Sequence, residues 1–377
     1  MSDTTTWAEV DLDSIAHNAR QLKLHVGART ELMAAVKANA YGHGAVPVAQ
    51  VALQSGATRL AVNRAEEGSE LRAGGIDAPI LVMGYATPGQ AAHIVRDRLT
   101  PTVNTLGLAQ ALSAAVSEQG APDLPVHLKV DTGMGRFGVL PDEAVDFARA
   151  LAALPRLFLE GFYTHFCTAD EQDTSHTYRQ FDIYQHVLRR LQEAGIRVPI
   201  RHVANSAATL RFPEMHLDFV RCGIAVYGLR PSPDVKWSIP LRPAMALKSR
   251  VARVRTLPAD WGIGYGRTYV TSRPTRAALV PVGYGDGYHR LLSNKGAVLI
   301  HGQRAPILGR VSMDQLVVDV GAIADVQEED VAVLFGRQGE AELSADEVAA
   351  WAETINYEVV TSILPRVPRV YLREGSE

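Results

Sequence analysis

Residues 32–44 read LMAAVKANAYGHG, and this stretch indicates how the chain is built. Its first five residues, Leu32 to Val36, are all apolar, which is typical of a buried strand. The glycines at 42 and 44 then break the run before a helical stretch rich in Val and Ala. Lys37 therefore stands where a buried strand ends. Most lysines at such a place are solvated surface residues, so the rest of the chain must decide whether this one has a chemical role.

The same alternation of strand and helix continues to about residue 230. Eight short apolar runs are separated by segments whose apolar residues recur every three or four positions. The runs are 32–36, 59–63, 79–84, 99–103, 125–130, 158–165, 201–204 and 218–227. The helical segments are Ala45–Ser55, Glu66–Ala73, Gly107–Glu118, Asp142–Ala153 and Gln180–Ala194. A doubly wound open sheet has the same local pattern, but eight strands favour a (β/α)8 barrel.

The character of the chain changes in the proline-rich stretch Pro231–Pro243, where no helical period is present. We place a domain boundary there, with a barrel domain at 10–235 and a second domain at 236–377. Alternating and β-branched runs separated by glycine-rich turns predict that the second domain is mostly antiparallel β structure. Its runs are Ala246–Thr256, Ala277–Val282, Ala297–Ile300, Leu316–Val320 and Val331–Leu334, with one helix at Ala345–Thr354. The first strand candidate, Thr6–Leu12, falls outside the eight, and we expect residues 1–9 to join the second domain.

The composition excludes several classes of partner. The 377 residues are 47% hydrophobic and 21% charged, and the net charge of −3 leaves no basic excess for nucleic acid or an anionic membrane. No signal-peptide pattern and no run of about 18 apolar residues occurs, so we predict a cytoplasmic protein. Cys167 and Cys222 are too few for a disulfide framework and lack metal-ligand spacing. We expect both thiols to be reduced, and no metal site is predicted.

Polar residues follow several of the predicted barrel strands, and the active site of such a barrel lies at the C-terminal ends of its strands. They are Lys37 and Tyr41 after the first run, Lys129, Asp131 and Arg136 at or after the fifth, His165 at the sixth, Asn205 and Ser206 after the seventh, and Arg221 at the eighth. Gly223 and Ile224, which are not polar, are further candidates at the eighth run.

Each of these residues also has a purely structural interpretation. His165 could be a core histidine bonded to backbone, Ser206 could be an ordinary helix N-cap, and the arginines could pair with carboxylates. A serine at a helix start beside the last strands is, however, also how such barrels bind phosphate, and Gly223 would let backbone approach a ligand. A lysine at one strand end and a phosphate site at the last strands together favour a phosphorylated aldehyde. Pyridoxal 5'-phosphate (PLP) fits both requirements.

The motif AVKANAYGHG at 35–44 resembles the cofactor-lysine signature of alanine racemases, which are PLP enzymes built from a (β/α)8 barrel and a β domain. Eight further motifs resemble that family in the same order, and together they cover nearly the whole chain. They are KVDTGMGRFG at 129–138, YTHF at 163–166, ANSAA at 204–208, R-x-G-I-x-x-YG at 221–228, GYGRTY at 264–269, GYGDGY at 283–288, GRVSMDQ at 309–315 and INYE at 355–358.

The resemblance implies a homodimer with shared active sites that interconverts L-alanine and D-alanine and supplies D-alanine for peptidoglycan. Lys37 would carry PLP as a Schiff base and act as the base for the D-enantiomer. Tyr265 of the other subunit would be the base for the L-enantiomer. His165 and Arg221 would connect Tyr265 to the cofactor ring, with Arg221 at the pyridine nitrogen. Two bases suit a racemisation because the proton leaves one face and returns to the other.

The resemblance also implies the remaining contacts. Arg136 would bind the phenolic oxygen of PLP and the substrate carboxylate. Lys129 matches a position that is carbamylated in many relatives, a modification that turns a cation beside Arg136 into an anion. The phosphate contacts would be Tyr41, Ser206, Gly223, Ile224 and Tyr357, and the residues at the substrate and its entrance would be Met313, Asp314, Tyr284 and again Tyr357.

Other functions stay open at the level of sequence. Serine racemases and broad-specificity amino-acid racemases share this framework, and a few pocket residues distinguish them. A related decarboxylase of basic amino acids would share the lysine and the phosphate site, but the GYGRTY tyrosine and the lack of an acidic pocket argue against it. A non-catalytic PLP-holding protein is usually a single barrel, and the long C-terminal region argues against that. Cys222 has no functional explanation.

Overall fold

The computed structural model describes residues 4–236 and 239–373. Residues 1–3, 237, 238 and 374–377, which fall within the predicted second domain, lie outside the described residues. The strands are β1 (Thr6–Asp11), β2 (Glu31–Ala35), β3 (Ala57–Val62), β4 (Ile80–Val82), β5 (Thr100–Pro101), β6 (Leu124–Lys129), β7 (Leu157–Tyr163), β8 (Ile200–His202), β9 (Phe219–Cys222), β10 (Met245–Arg250), β11 (Arg253–Leu257), β12 (Gly262–Ile263), β13 (Tyr269–Val270), β14 (Thr275–Val280), β15 (Ala297–Ile300), β16 (Gln303–Pro306), β17 (Leu316–Asp319), β18 (Val331–Gln338), β19 (Ala341–Leu343) and β20 (Arg369–Leu372). The helical segments are α1 (Leu12–Val26), α2 (Lys37–Tyr41), α3 (Ala45–Gln54), α4 (Ala65–Ala73), α5 (Ala91–Arg96), α6 (Leu106–Gln119), α7 (Ala144–Ala152), α8 (Ser175–Glu193), α9 (Ser206–Arg211), α10 (Ala345–Trp351) and α11 (Asn356–Thr361).

The chain divides into two compact units, and one boundary between them in the sequence, Arg242/Pro243, falls in the proline-rich stretch. One unit comprises Ser14–Ala40 and Ala45–Arg242. The other comprises the described residues within Met1–Asp13, Tyr41–Gly44 and Pro243–Glu377. Within residues 4–236 and 239–373, no helix is both long and apolar enough to cross a lipid bilayer.

The first unit is built on the parallel strands β2 to β9. They form one sheet in the order β5-β4-β3-β2-β9 and another in the order β6-β7-β8. Backbone hydrogen bonds join these sheets at both ends: Val103 N–H donates to His127 O (2.8 Å), and Arg221 N–H donates to Ala204 O (2.9 Å). Each of the eight predicted runs overlaps one of these strands. The eight strands therefore form the (β/α)8 barrel that the strand count predicted.

Each of the five predicted helical segments of the barrel overlaps one helix, and these helices are α3, α4, α6, α7 and α8. Local sequence explains the ends of α6. Thr105 Oγ1 accepts a hydrogen bond from Leu108 N–H at its start, and Gly120 ends it in the left-handed conformation at φ 60°. The six-residue helix α5 was not predicted, because so short a segment cannot show a helical period.

The second unit is mostly antiparallel. Its largest sheet has the order β16-β15-β18-β10-β1-β20, with β19 paired to β18, and two smaller sheets are β11-β14-β17 and β12-β13. The N-terminal strand β1 pairs antiparallel with β10 and parallel with β20. Two predictions were wrong. The predicted single helix is followed by a second helix, α11, which at six residues is too short to show a helical period. The run Ala246–Thr256 is two strands. Strand β10 ends at Arg250 and β11 begins at Arg253. At the two residues between them the chain changes sheet, since Val251 N–H donates to Asp330 O and Ala252 N–H donates to Leu279 O (2.8 Å each).

The segment Tyr41–Gly44 also belongs to this second unit, although the barrel residues Ala40 and Ala45 flank it. Gly42 O accepts a hydrogen bond from Arg369 Nε (2.9 Å). A Cβ atom on Gly42 would collide with the backbone of Val360. The glycine therefore allows a close approach that a larger residue would prevent.

Candidate active site

Lys37 lies two residues after the end of strand β2. It begins segment α2, which is an unusual turn and not a right-handed helix. The next four residues, Ala38 to Tyr41, all have φ between 51° and 53°, the left-handed region that residues with a Cβ rarely adopt. Hydrogen bonds hold this turn, since Asn39 Oδ1 accepts from Ala45 N–H (2.8 Å) and Ala38 N–H donates to Glu67 Oε1 (2.6 Å). The backbone on the C-terminal side of Lys37 is thereby fixed.

The environment of Lys37 favours a reactive amine. Burial lowers the pKa of Lys37, the positive charge of Arg136 lowers it further, and Glu67 opposes the change. A lowered pKa raises the neutral fraction of the amine at physiological pH. The neutral form is the one that attacks a carbonyl carbon, so Lys37 is suited to forming a Schiff base.

Arg221 is buried in the barrel without a carboxylate partner among the described residues. Nη1 donates to Nδ1 of His202 (2.8 Å), and Nη2 donates to the backbone oxygen of Thr164 (2.8 Å). Burial lowers the pKa of Arg221 to about 10, so the group remains a cation at neutral pH. Its Nε is buried and has no hydrogen-bond partner within residues 4–236 and 239–373. Because an unpaired buried donor is costly, this N–H indicates an acceptor supplied by a bound molecule.

His165 lies two residues after the end of β7, and its ring is beside Arg221. Its Nδ1 is 3.4 Å from Nη2 of Arg221, which can only donate, so Nδ1 accepts and the proton of the ring is on Nε2. Burial and then the surrounding cations, Arg221 first, hold the pKa of His165 well below its ordinary value. The ring is therefore neutral, with an Nε2–H donor.

Ser206 does not cap its helix, in contrast to its simplest structural interpretation. Asn205 is the cap of α9, since its Oδ1 accepts from Ala208 N–H (3.0 Å). Ser206 Oγ instead accepts from Gly223 N–H (2.9 Å) and from Ala225 N–H (3.4 Å). Since its oxygen is occupied as an acceptor, the hydroxyl proton is left to donate. The Ser206 hydroxyl, which follows β8 and lies against the backbone that follows β9, is thus a donor that suits an anion.

Lys129, the last residue of β6, is buried among aromatic rings and cations. Nζ lies 5.6 Å from the ring centroid of Phe137 and 5.9 Å from that of Tyr163. Burial, then Arg136 and Arg221, lower the pKa of Lys129 to about 8. The outward-pointing lysine that charge repulsion alone favours is therefore not observed.

Asp131 holds the loop that carries Arg136. Its Oδ1 accepts from the backbone N–H groups of Gly133 and Met134, and its Oδ2 accepts from that of Arg136 (3.0 Å). Burial alone would raise the pKa of Asp131, but the backbone N–H groups lower it. Asp131 is therefore an ionised anchor of the loop.

The second unit carries the other predicted site residues, which are Tyr41, Tyr265, Tyr284, Met313, Asp314 and Tyr357. The Tyr265 side chain is 70% exposed, and it lies on a turn between Gly264 (φ 70°) and Gly266 (φ 71°). Asp314 Oδ1 accepts from Arg366 Nη2 (2.8 Å), and the rings of Tyr41 and Tyr357 are 6.2 Å apart.

Sequence reasoning missed His202, which accepts the hydrogen bond from Arg221. The available signal was a polar residue within a buried run, since such a residue requires a partner. Cys222 also remains without a chemical role, although its surroundings are now defined. It is a free, buried thiol whose Sγ donates to Thr209 Oγ1 (3.5 Å), and burial raises its pKa to about 12.

Comparison with known proteins identifies one family along nearly the whole chain. The family model "Alanine racemase, N-terminal domain" matches residues 10–231, and "Alanine racemase, C-terminal domain" matches residues 244–371. The alanine racemase of Desulforamulus reducens is 51% identical over 368 residues, which are 97% of this chain and 98% of that protein. The alanine racemase of Desulfosudis oleivorans is 49% identical over an alignment of 386 positions, which covers 100% of this chain and 99% of that protein.

Solved structures agree with these matches. The alanine racemase of Bacillus anthracis with bound L-Ala-P has a TM-score of 0.94 at 40% identity, covering 100% of this chain and 97% of that one. The alanine racemase of Clostridium difficile 630 in complex with cycloserine has a TM-score of 0.93 at 37% identity, covering 100% of this chain and 98% of that one.

Proposed function

The chain belongs to the alanine racemase family, and we propose that it interconverts L-alanine and D-alanine. The observation that carries the proposal is Arg221, a buried cation with no carboxylate partner among the described residues and with an unengaged Nε. A buried cation placed in this way suits the ring nitrogen of a pyridine cofactor, where it opposes protonation of the ring.

PLP is the cofactor in this proposal, because three groups of the barrel fit its three functional groups. Lys37, with its lowered pKa, fits the aldehyde, Nε of Arg221 fits the ring nitrogen, and the Ser206 hydroxyl fits the phosphate. Gly223 and Ile224 on the barrel unit, with Tyr41 and Tyr357 on the second unit, complete the proposed phosphate contacts. When bound, PLP acts as an electron sink that makes the α-proton of the amino acid labile.

The chain's own residues would then move that proton. Lys37 is the proposed base for the D-enantiomer, and Arg136 is the proposed partner of the substrate carboxylate, since its planar group of donors suits that shape. Asp131 anchors the Arg136 loop and so supports the positioning of the substrate.

Tyr265 is the proposed base for the L-enantiomer, contributed by a second copy of the chain. Its exposure supports this assignment, because a 70% exposed tyrosine on a short, glycine-bounded turn is available to another subunit. Met313, which is 52% exposed, would accompany it, with Asp314 near the substrate and Tyr284 at the entrance. Exposed apolar side chains of this kind are typical of a protein interface. Neutral His165 would link Tyr265 to Arg221 through its Nε2–H.

Lys129 is the proposed site of carbamylation. A buried lysine beside two arginines is unfavourable as a cation, as its lowered pKa indicates. Conversion to a carbamate would replace repulsion of Arg136 by attraction and would orient that side chain.

The reaction is tested by incubating the protein and PLP with L-alanine in deuterium oxide. We expect deuterium to replace the α-proton while the optical rotation decays to zero. Retained rotation with release of carbon dioxide would indicate a decarboxylase, and retained rotation without exchange would indicate a non-catalytic PLP-holding protein. A parallel reaction with L-serine measures the breadth of specificity.

Two variants test the proposed bases separately. K37A should lose both the absorbance of the lysine-bound cofactor and the activity. Y265A should keep that absorbance, lose most racemisation and retain some exchange of the D-alanine α-proton. Y178A, which removes a tyrosine from the outer helix α8, is the control. Equal loss of all exchange from both enantiomers in Y265A would contradict the assignment of two bases.

A further inference from the structure

A chain of hydrogen bonds leads from Arg221 through the barrel interior. Nη1 of Arg221 donates to Nδ1 of His202 (2.8 Å), and Nε2 of His202 is 2.9 Å from Nδ1 of His127. Nε2 of His127 is 3.1 Å from Oε2 of Glu160, and Arg59 donates to both oxygens of that carboxylate (2.9 Å each). We call the four residues Arg59, Glu160, His127 and His202 the histidine relay.

The relay is held by packing as well as by hydrogen bonds. Both imidazoles are fully buried. The ring of Tyr163 stacks on His202 with centroids 4.6 Å apart and an interplanar angle of 10°. Gly161 leaves room for His127, because a Cβ atom at that position would collide with the imidazole ring. Neither ring can turn over without displacing its neighbours.

The two ends of the relay determine where its protons lie. Arg221 can only donate, so Nδ1 of His202 must be an acceptor and the proton of His202 must be on Nε2. That proton is donated to Nδ1 of His127, which places the proton of His127 on its own Nε2. Glu160, as a carboxylate, accepts it. Both histidines are therefore neutral Nε2–H tautomers.

The electrostatics agree with this order. Burial lowers the pKa of His127 and holds that of His202 well below its ordinary value. Burial alone would raise the pKa of Glu160, but hydrogen bonds from His127 and Arg59 bring it to about 2. The reversed order would place an N–H of His202 against an N–H of Arg221 and a bare nitrogen against the carboxylate. Each of those contacts replaces a charge-assisted hydrogen bond by repulsion.

We propose that Glu160 is a positioning residue for Arg221: through the tautomers of His127 and His202, it stabilises the form in which His202 presents a lone pair to the guanidinium. Nη1 is thereby engaged in the barrel interior, and Nε stays available for the bound ring. The catalytic consequence of this inference depends on the proposed racemase function, but the proton order does not.

The proton order is tested by NMR of the protein labelled with ¹⁵N-histidine, with the two resonances identified by their loss in H127Q and H202Q. We expect both histidines to remain neutral Nε2–H tautomers at every pH at which the protein is folded. Finding either ring as the Nδ1–H tautomer or as imidazolium would overturn the relay. This measurement needs no Glu160 variant, so it decides the question even if E160L fails to fold.

The role of Glu160 is tested by comparing E160L with E160Q. Leucine cannot accept the proton of His127, so in E160L only the contact with Arg221 still selects the Nε2–H form of His202. We expect that form to be partly depleted and kcat to fall by roughly 10- to 100-fold, with KM for alanine unchanged. The amide oxygen of glutamine can accept, so E160Q should restore the tautomers and most of kcat. Y184F, which removes a buried hydrogen bond to Phe162 O elsewhere in the barrel, is the control.

Two outcomes of this comparison would overturn the positioning role. One is wild-type kcat in folded E160L, and the other is equal loss of kcat in E160Q and E160L. Predicted tautomers in a wild-type protein that does not racemise alanine would support the relay and overturn the proposed function.

Discussion

The protonation state of the Lys129 amine is expected to determine whether it can form a carbamate. With a pKa of about 8, half of its amine is neutral at pH 8, whereas a lysine of pKa about 10.5 is less than about 1% neutral. Because only the neutral amine forms a carbamate, we expect Lys129 to be carbamylated to an extent that rises with bicarbonate and with pH from 7 to 9. Carbon-13 NMR of the protein in ¹³C-bicarbonate measures this occupancy.

Lys295 provides an internal comparison for Lys129. It is exposed and paired with Glu353, so it should not be modified under the same conditions. The carbamate signal should vanish in K129M. A signal that persists in that variant, or an unmodified Lys129 amine at saturating carbon dioxide, would contradict the proposed modification.

The left-handed turn after Lys37 is a strained element that contacts hold in place. A residue with a Cβ costs about 1–2 kcal/mol in this conformation, and four such residues occur in succession. Ala38 is exposed, so A38G should relieve strain without loss of packing and raise the free energy of unfolding by roughly 0.5–1 kcal/mol. A38V should lower it, because a β-branched residue tolerates this conformation least. Urea unfolding followed by circular dichroism measures both changes.

Ala114 is the matched control for Ala38. It is also exposed, but it lies within the right-handed helix α6. Glycine there should lower the free energy of unfolding by roughly 0.5–1 kcal/mol, the opposite sign. If A38G and A114G change stability in the same direction, the left-handed turn is not strained as described.

These elements also show which features the sequence could predict. Local burial produces periodicity, so all eight barrel strands and the five helical segments could be located. Contacts between distant residues leave no such trace. The turn after Lys37 depends on Asn39 reaching Ala45 and on Arg369 reaching Gly42, and the split of the run Ala246–Thr256 depends on pairing with two sheets. Motif resemblance identified Arg221, but only the fold reveals which of its atoms are engaged.

At the level of the molecule, the proposed site residues are divided between the two units of the chain. The cations and the neutral histidine belong to the barrel unit, and the exposed residues Tyr265 and Met313 belong to the second unit. A closed dimer with two-fold symmetry would complete two sites at once if each chain supplies Tyr265 to its partner. Activity would then depend on subunit pairing.

Mixing inactive variants tests this dependence. When K37A and Y265A are dissociated and paired again at random, half of the dimers are hybrids, and each hybrid has one intact site. The mixture should therefore recover about a quarter of the wild-type activity. K37A mixed with K37R is the control, because no pairing of those chains restores Lys37. Native mass spectrometry counts the hybrids. If hybrids form without a gain of activity, Tyr265 does not act across the subunit interface.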